Sequence, residues 1–252
     1  MKQQRLNECW NEGKGAINGW CSIPSTIITE IMSQNNFDSI TIDLQHGLID
    51  YQAALNMLQI LANINITPMV RVPWNEPGII MKLLDAGSLG VICPMINNKD
   101  DASKFVGAMN YVPKGFRSTG PTRAMMVHGG NYHNEANEKL ISLAMVETQE
   151  ALDNVDAIAS TEGLTGIYIG PSDLSVSMGL NPGMDRTEEK MIQAIDKINS
   201  SCKKHNIKVG IHCLSPKYLN NKLNAGFDLA TLASDFRFFN EIVSKKIEEA
   251  RE

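Results

Sequence analysis

The sequence predicts a single-domain α/β chain folded as a TIM (β/α)8 barrel, and three observations carry that expectation. Eight short runs of β-branched and aliphatic residues recur along 252 residues, nearly all are apolar without alternation, and a helix-like stretch follows nearly every run. Continuously apolar strands belong to a parallel sheet covered on both faces. Eight strand-helix units in roughly 250 residues fit a closed barrel better than a doubly wound sheet of about five to seven strands.

Residues 1–14 read as a leading helix, followed by a first strand, AINGWCSI (16–23), and the helix PSTIITEIMSQ. SITIDLQ (39–45) then precedes YQAALNMLQILAN, TPMVRVP (67–73) precedes PGIIMKLLDAG, and GVICPMI (90–96) precedes KDDASKFVGAM. The second half repeats the alternation: ISLAMVET (141–148) before TQEALDNVDAIAST, GIYIGPSD (166–173) before RTEEKMIQAIDKINSSCKKH, KVGIHCL (208–214) before PKYLNNKLNAG, and DLATLASD (228–235) before a C-terminal helix over 236–252. Asp43 to Arg71, Arg71 to Met95, Glu147 to Asp173 and His212 to Ser234 are spaced by one helix and one strand each. The interval from Met95 to Glu147 is about twice as long, and its Gly, Pro and Asn clusters predict a long loop at the active-site end over 113–139.

Composition narrows the function classes. With 43% hydrophobic and 20% charged residues the chain can bury a large core, which excludes disorder. The 23 Lys+Arg against 28 Asp+Glu give a net charge of −5, without the basic footprint of a nucleic-acid binder. A polar start and the absence of any apolar run near 18 residues give the expectation of no membrane partner and a cytoplasmic location. The five cysteines form no C-x-x-C pair and read as reduced core residues.

In a barrel of this kind chemistry gathers where strands end. The polar residues there are Trp20, Ser22, Asp43, Gln45, His46, Arg71, Glu147, Ser172, Asp173, His212, Ser234 and Asp235. Glu147 and Asp173 end consecutive strands and could share one hard divalent cation, or simply cap and pair at strand ends. His46 stands where an imidazole can act as acid or base, although a lone loop histidine is commonly a surface residue. Arg71 is a cation in an apolar run and needs a partner, either Asp43 one strand away or a substrate carboxylate. The GPSD turn offers backbone N–H groups as an anion nest. His128 and His133, in HGGNYH, read as incidental histidines of a mobile lid.

IDLQHG, VRVPWNEP, LLDAGSLGVICPMI, GFRSTGP, VETQEAL, IYIGPSDLSVSMG and AGFDLATLASD occur in that order. As a set, from about residue 15 to 240, they resemble the metal-dependent class II pyruvate aldolases of the HpcH/HpaI family. The resemblance implies a homo-oligomer, trimer or hexamer, that reversibly cleaves a 4-hydroxy-2-oxoacid to pyruvate and an aldehyde. It implies that Glu147 and Asp173 bind Mg²⁺ or Mn²⁺, that His46 is the base, and that Asp85 raises its basicity. Arg71 would stabilise the enolate, while Ser172 and Asp173 hold pyruvate's carboxylate on backbone amides. Met145 stands where the family often has a substrate-contacting Gln, Gln45 where many members have Glu, and the GFR turn reads Gly115-Phe116-Arg117-Ser118-Thr119-Gly120. The alternatives are a citramalyl- or malyl-CoA-lyase-like enzyme and a barrel that binds a ketoacid without turnover. Asp85 ends the helix after the third strand, on the barrel's bottom, whereas His46 is at the top, so the implied contact predicts an active site shared between subunits.

Overall fold

The computed structural model describes residues 4–252. After α1 (Arg5–Asn11), eight strands close into a parallel barrel in sequence order: β1 (Ala16–Cys21), β2 (Ser39–Asp43), β3 (Thr67–Arg71), β4 (Gly90–Cys93), β5 (Ile141–Val146), β6 (Gly166–Ile169), β7 (Lys208–Cys213) and β8 (Leu229–Leu232). Between and after them lie α2 (Thr26–Ser33), α3 (Tyr51–Leu61), α4 (Pro77–Asp85), α5 (Lys99–Met109), α6 (Thr122–His128), α7 (Tyr132–Lys139), α8 (Gln149–Asp153), α9 (Val155–Ala159), α10 (Pro171–Ser177), α11 (Glu189–Lys204), α12 (Pro216–Asn224) and α13 (Asp235–Glu249). Every strand end but that of β6, where Gly170 precedes α10, runs into a polar cap that starts the next helix sharply. Ser25, Asp50, Glu76, Thr148, Ser215 and Ser234 each accept a first-turn N–H, and Pro77 and Pro216 sit at the first helical positions.

Two apolar layers hold the fold. The larger fills the space between sheet and helices; the smaller, with Trp20, Met69, Ile92, Leu143, Met145, Tyr168 and Leu229, fills the barrel interior. Leu6, Cys9 and Trp10 of α1 join the interior layer from below, fastened by Leu6 N–H to Thr67 Oγ1 and Trp10 Nε1–H to the Asp228 carbonyl. The predicted leading helix is therefore a plug in the barrel bottom; residues 1–3 of that expectation lie outside the described residues.

The structure corrects the predicted active-site loop over 113–139. That segment follows α5, so it is a helix-to-strand connection and belongs to the bottom face, opposite the strand ends. It carries α6 and α7, which bury Tyr111, Ala124, Tyr132 and Ala136 in a cluster of their own. His128 is buried there with its Nε2 3.1 Å from the Gly87 carbonyl, and His133 stacks on Tyr111, so neither belongs to a lid. The strands also end two to four residues earlier than their apolar runs in several cases, which moves Gln45 and Glu147 onto the loops above the barrel, where His46 also lies. GPSD is not a loop: its last three residues open α10.

Candidate active site

Asp43 organises the mouth. It pairs with Arg71 across β2 and β3, accepting from Nε at 2.8 Å and from Nη2 at 2.6 Å, and Trp20 Nε1–H reaches its Oδ2 at 3.2 Å. The backbone N–H of Gln45 and of His46 point at its Oδ1, so the same carboxylate that holds Arg71 also curls the loop presenting His46. Burial alone would push the Asp43 carboxyl up, but the bonds from Arg71, Gln45 and Trp20 prevail and hold it below the ordinary carboxylate range. The sequence left Arg71 between two partners. The structure gives it Asp43, with two of its five N–H donors, and lays the guanidinium 4.8 Å from the Trp20 ring centre, leaving the other donors for the mouth.

Removing Arg71 would strand a carboxylate that is 2% exposed. Arg71→Ala is therefore expected to cost about 3–5 kcal/mol and to lower Tm by roughly 10 °C, read by thermal melting at neutral pH. The depressed Asp43 pKa makes this stabilisation fully present above the ordinary carboxylate value and lost as pH falls below it, through the lower folded value, so the difference between wild type and variant should shrink in acid. An unchanged Tm would show that the pair contributes nothing net.

Glu147 follows β5 and is 2% exposed. Its Oε1 accepts the Met95 N–H at 2.8 Å, and Met95 holds a left-handed φ of 55° to deliver it. Oε2 takes no donor from the described residues. Burial, with the nearby negative charge of Asp173, pushes the carboxyl up to about 7 against the opposing effects of Met95 and Arg71. Gly170 borders the same oxygen: a Cβ there would lie 2.7 Å from Oε2 and 2.5 Å from the Met145 methyl, so only glycine keeps that space open. Asp173 is in the first turn of α10, where the N–H groups of Ser172 and Asp173 have no intrahelical acceptor. Met145, two residues before Glu147, is buried in the interior layer and floors the site with an apolar thioether.

Beneath the mouth a polar chain crosses the interior. Ser39 and Thr41 donate to Asn18 Oδ1, Asn18 and Tyr168 both donate to Thr231 Oγ1, and Tyr168 Oη lies 3.2 Å from His212 Nδ1. His212 Nε2 is 3.1 Å from the Ala233 carbonyl. Burial, with Arg71 adding to it, drives the His212 pKa down to about 4, so this imidazole is a neutral structural ring against Trp20 rather than an acid or base near neutrality. Asp235 is likewise structural, accepting the N–H of Ser22 and Ile23.

The strand ends thus bring His46, Arg71, Glu147, Ser172 and Asp173 to one face. Asp85 is not with them. It ends α4 on the bottom face, where its Oδ1 accepts Arg117 Nη2–H at 2.6 Å. Sequence reasoning left Arg117 as part of a turn; the one signal was an arginine beside an aromatic residue in a short glycine-bounded segment. A cavity of about 840 Å³ opens beside His46, lined in part by Ser22, Leu48, Ser215, Ser234 and Arg237.

Residues 19–240 match the family model for HpcH/HpaI aldolase/citrate lyase. The chain is 38% identical over 247 residues to a hydroxypyruvate/pyruvate aldolase of Rhizorhabdus wittichii, covering 98% of each. It is 34% identical over 212 residues to a 4-hydroxy-2-oxo-heptane-1,7-dioate aldolase of Escherichia coli, covering 82% of this chain and 81% of the other. Among solved structures, a family protein of Burkholderia cenocepacia superposes with TM-score 0.92 at 24% identity, over 99% of this chain and all of that one, which bears on the fold alone.

Proposed function

This chain belongs to the HpcH/HpaI aldolase/citrate lyase family, and from that premise we propose that it is a divalent-cation aldolase cleaving a 4-hydroxy-2-oxoacid to pyruvate and an aldehyde, and running the reverse addition. The observation that carries the proposal is the buried Glu147 carboxyl near Asp173, with one oxygen fixed by the Met95 N–H and the other left without a donor among the described residues. The residues there fit a divalent cation. Both carboxylates are hard oxygen donors, one Glu147 oxygen takes no donor among the described residues, and Gly170 leaves the adjoining space open. Among the described residues no third His, Cys, Asp or Glu joins the pair, which leaves further positions to water and substrate. Mg²⁺ and Mn²⁺ both suit such a set, and either supplies Lewis-acid stabilisation where enolate charge develops.

The chain's own groups do the rest. In cleavage His46 takes the proton of the 4-hydroxyl, the C3–C4 bond breaks, its electron pair enters the enolate of the 2-oxoacid, and the aldehyde leaves. A proton returned to C3 completes pyruvate. The free donors of Arg71 face the growing negative charge, and the amides of Ser172 and Asp173 receive the carboxylate. Asp85 of a neighbouring subunit bonds to His46 and raises its basicity. Exposed apolar side chains leave surface for such a contact: Val112 and Phe116 precede Arg117 in the bottom-face segment that holds Asp85, and Leu48 lines the cavity beside His46. Two different surfaces meeting head to tail close into a ring, as in a trimer or a hexamer of two trimers. The outward stripe Phe236, Phe239, Val243 and Ile247 on α13 adds a second unburied face. The five free, buried cysteines suit the reducing cytoplasm.

Coupled pyruvate or hydroxypyruvate release from a panel of 4-hydroxy-2-oxoacids, with and without chelator, tests the reading. Release that chelator stops is expected; release that chelator leaves unchanged, or none from any member, overturns it. In the same panel Met145→Gln is expected to move the preference several-fold toward hydroxylated aldehydes, because an amide offers hydrogen bonds where the thioether offers none.

A further inference from the structure

We propose that Arg117 is a positioning residue for the reaction, fixing Asp85 on one barrel so that its second carboxylate oxygen is presented to the neighbour's His46. The inference rests on the shared-site reading above. The Arg117 side chain is 0% exposed and that of Asp85 31%, so the cation is wholly inside while the anion it holds reaches the surface. Asp85 Oδ1 is taken by Arg117 Nη2–H, and Oδ2 has no donor among the described residues.

Everything around Arg117 limits its movement. The guanidinium carbon lies 4.6 Å from the Tyr111 ring centre and 5.5 Å from that of Tyr132, and Nη1–H donates to Tyr132 Oη at 3.1 Å. Its backbone is pinned to the end of α5, with Phe116 N–H on the Gly107 carbonyl and Arg117 N–H on the Asn110 carbonyl. Gly115 is required for that close approach, since a Cβ would lie 2.4 Å from both carbonyl oxygens. A buried arginine is costly unless its charge is used. Surface pairs seldom justify such a frame, and a frame that ends on a carboxylate about one-third exposed is suited to aiming that carboxylate across an interface.

The test compares Arg117→Ala and Arg117→Lys with Asp85→Ala in oligomers whose assembly is verified by light scattering. Arg117→Ala should lose about a hundredfold in kcat with KM for the 2-oxoacid within about twofold, as for a displaced group rather than a lost binding contact. Added guanidinium should restore part of the loss. Arg117→Lys keeps the charge but lacks the fork that holds Asp85 and Tyr132 together, so it too should fall in kcat; this variant decides the matter if the alanine form fails to assemble. Introduced into Asp85→Ala, either substitution should cost less than about twofold more. Mixed with His46→Ala subunits, Arg117→Ala subunits should regain activity, whereas mixed with Asp85→Ala subunits they should not. Losses that multiply in the Asp85→Ala background, or wild-type kcat in Arg117→Lys, overturn the proposal. If His46→Ala and Asp85→Ala subunits fail to complement, the shared site falls on its own, and the Asp85–Arg117 cycle still reports whether the two act as a unit.

Discussion

Stripping divalent cations is expected to abolish turnover, and Glu147→Gln to lower kcat/KM on the order of a thousandfold, the effect of losing several kcal/mol of enolate stabilisation. The same carboxyl sets a pH signature in the metal-free protein. Its ordinary value is 4.5, and in the folded chain without a cation it is about 7. Below the lower value the group is protonated whether folded or not, and it costs nothing. Between the two, the folded state keeps a proton that the unfolded chain has lost, and above the upper one the fold carries the full cost of a buried charge. Metal-free protein should therefore lose stability as pH rises from about 4.5 to about 7, by about 3 kcal/mol from this group. Mg²⁺ or Mn²⁺ should restore it, displacing a proton below neutrality and almost none at pH 8. Melting curves at pH 5 and pH 8, with and without the ion, read this directly, and Glu147→Gln should erase the difference. Full turnover by a demetallated preparation would falsify the cation assignment.

Mixtures of His46→Ala and Asp85→Ala subunits are expected to regain activity that neither parent shows. In the proposed head-to-tail ring each mouth would combine its own His46 with a neighbour's Asp85, so random mixing in equal amounts would rebuild about a quarter of the sites. Each parent alone should retain less than about one hundredth of wild-type kcat, the share that a positioned base contributes. Within one chain Asp85 closes α4 beside Gly87 and Ser88, at the entrance to β4, whereas His46 follows the exit of β2. No recovery after verified subunit exchange would sink the shared mouth.

The barrel and most of the mouth were legible in the sequence because both are written locally. Unbroken apolar runs define two-sided burial, and a charge such as Arg71 inside one of them announces a partner. Asp43 and Glu147 were recognisable as strand-end carboxylates for the same reason. Segment 113–139 misled because Gly and Pro clusters mark where chain direction changes, not which end of the barrel the change occurs on; only its place after α5 decides that. Arg117 was obscure because its partners, Asp85 and Tyr132, are separated from it in sequence and meet only through tertiary packing. His212 looked like a mouth residue on position alone, and its neutrality follows from burial and the Ala233 carbonyl, which no pattern encodes.

The plug formed by α1 makes the barrel a vessel open at one end. With Leu6, Cys9 and Trp10 sealing the lower layer, the hydroxyls of Tyr168 and Thr231 and the amide of Asn18 can trade hydrogens with solvent only past Trp20 and Arg71 or through local opening. A 2-oxoacid seated at the mouth would act as a stopper. Deuterium uptake in β1, β6 and β8 would then slow on ligand binding, so the interior becomes a clock for occupancy of the site above it.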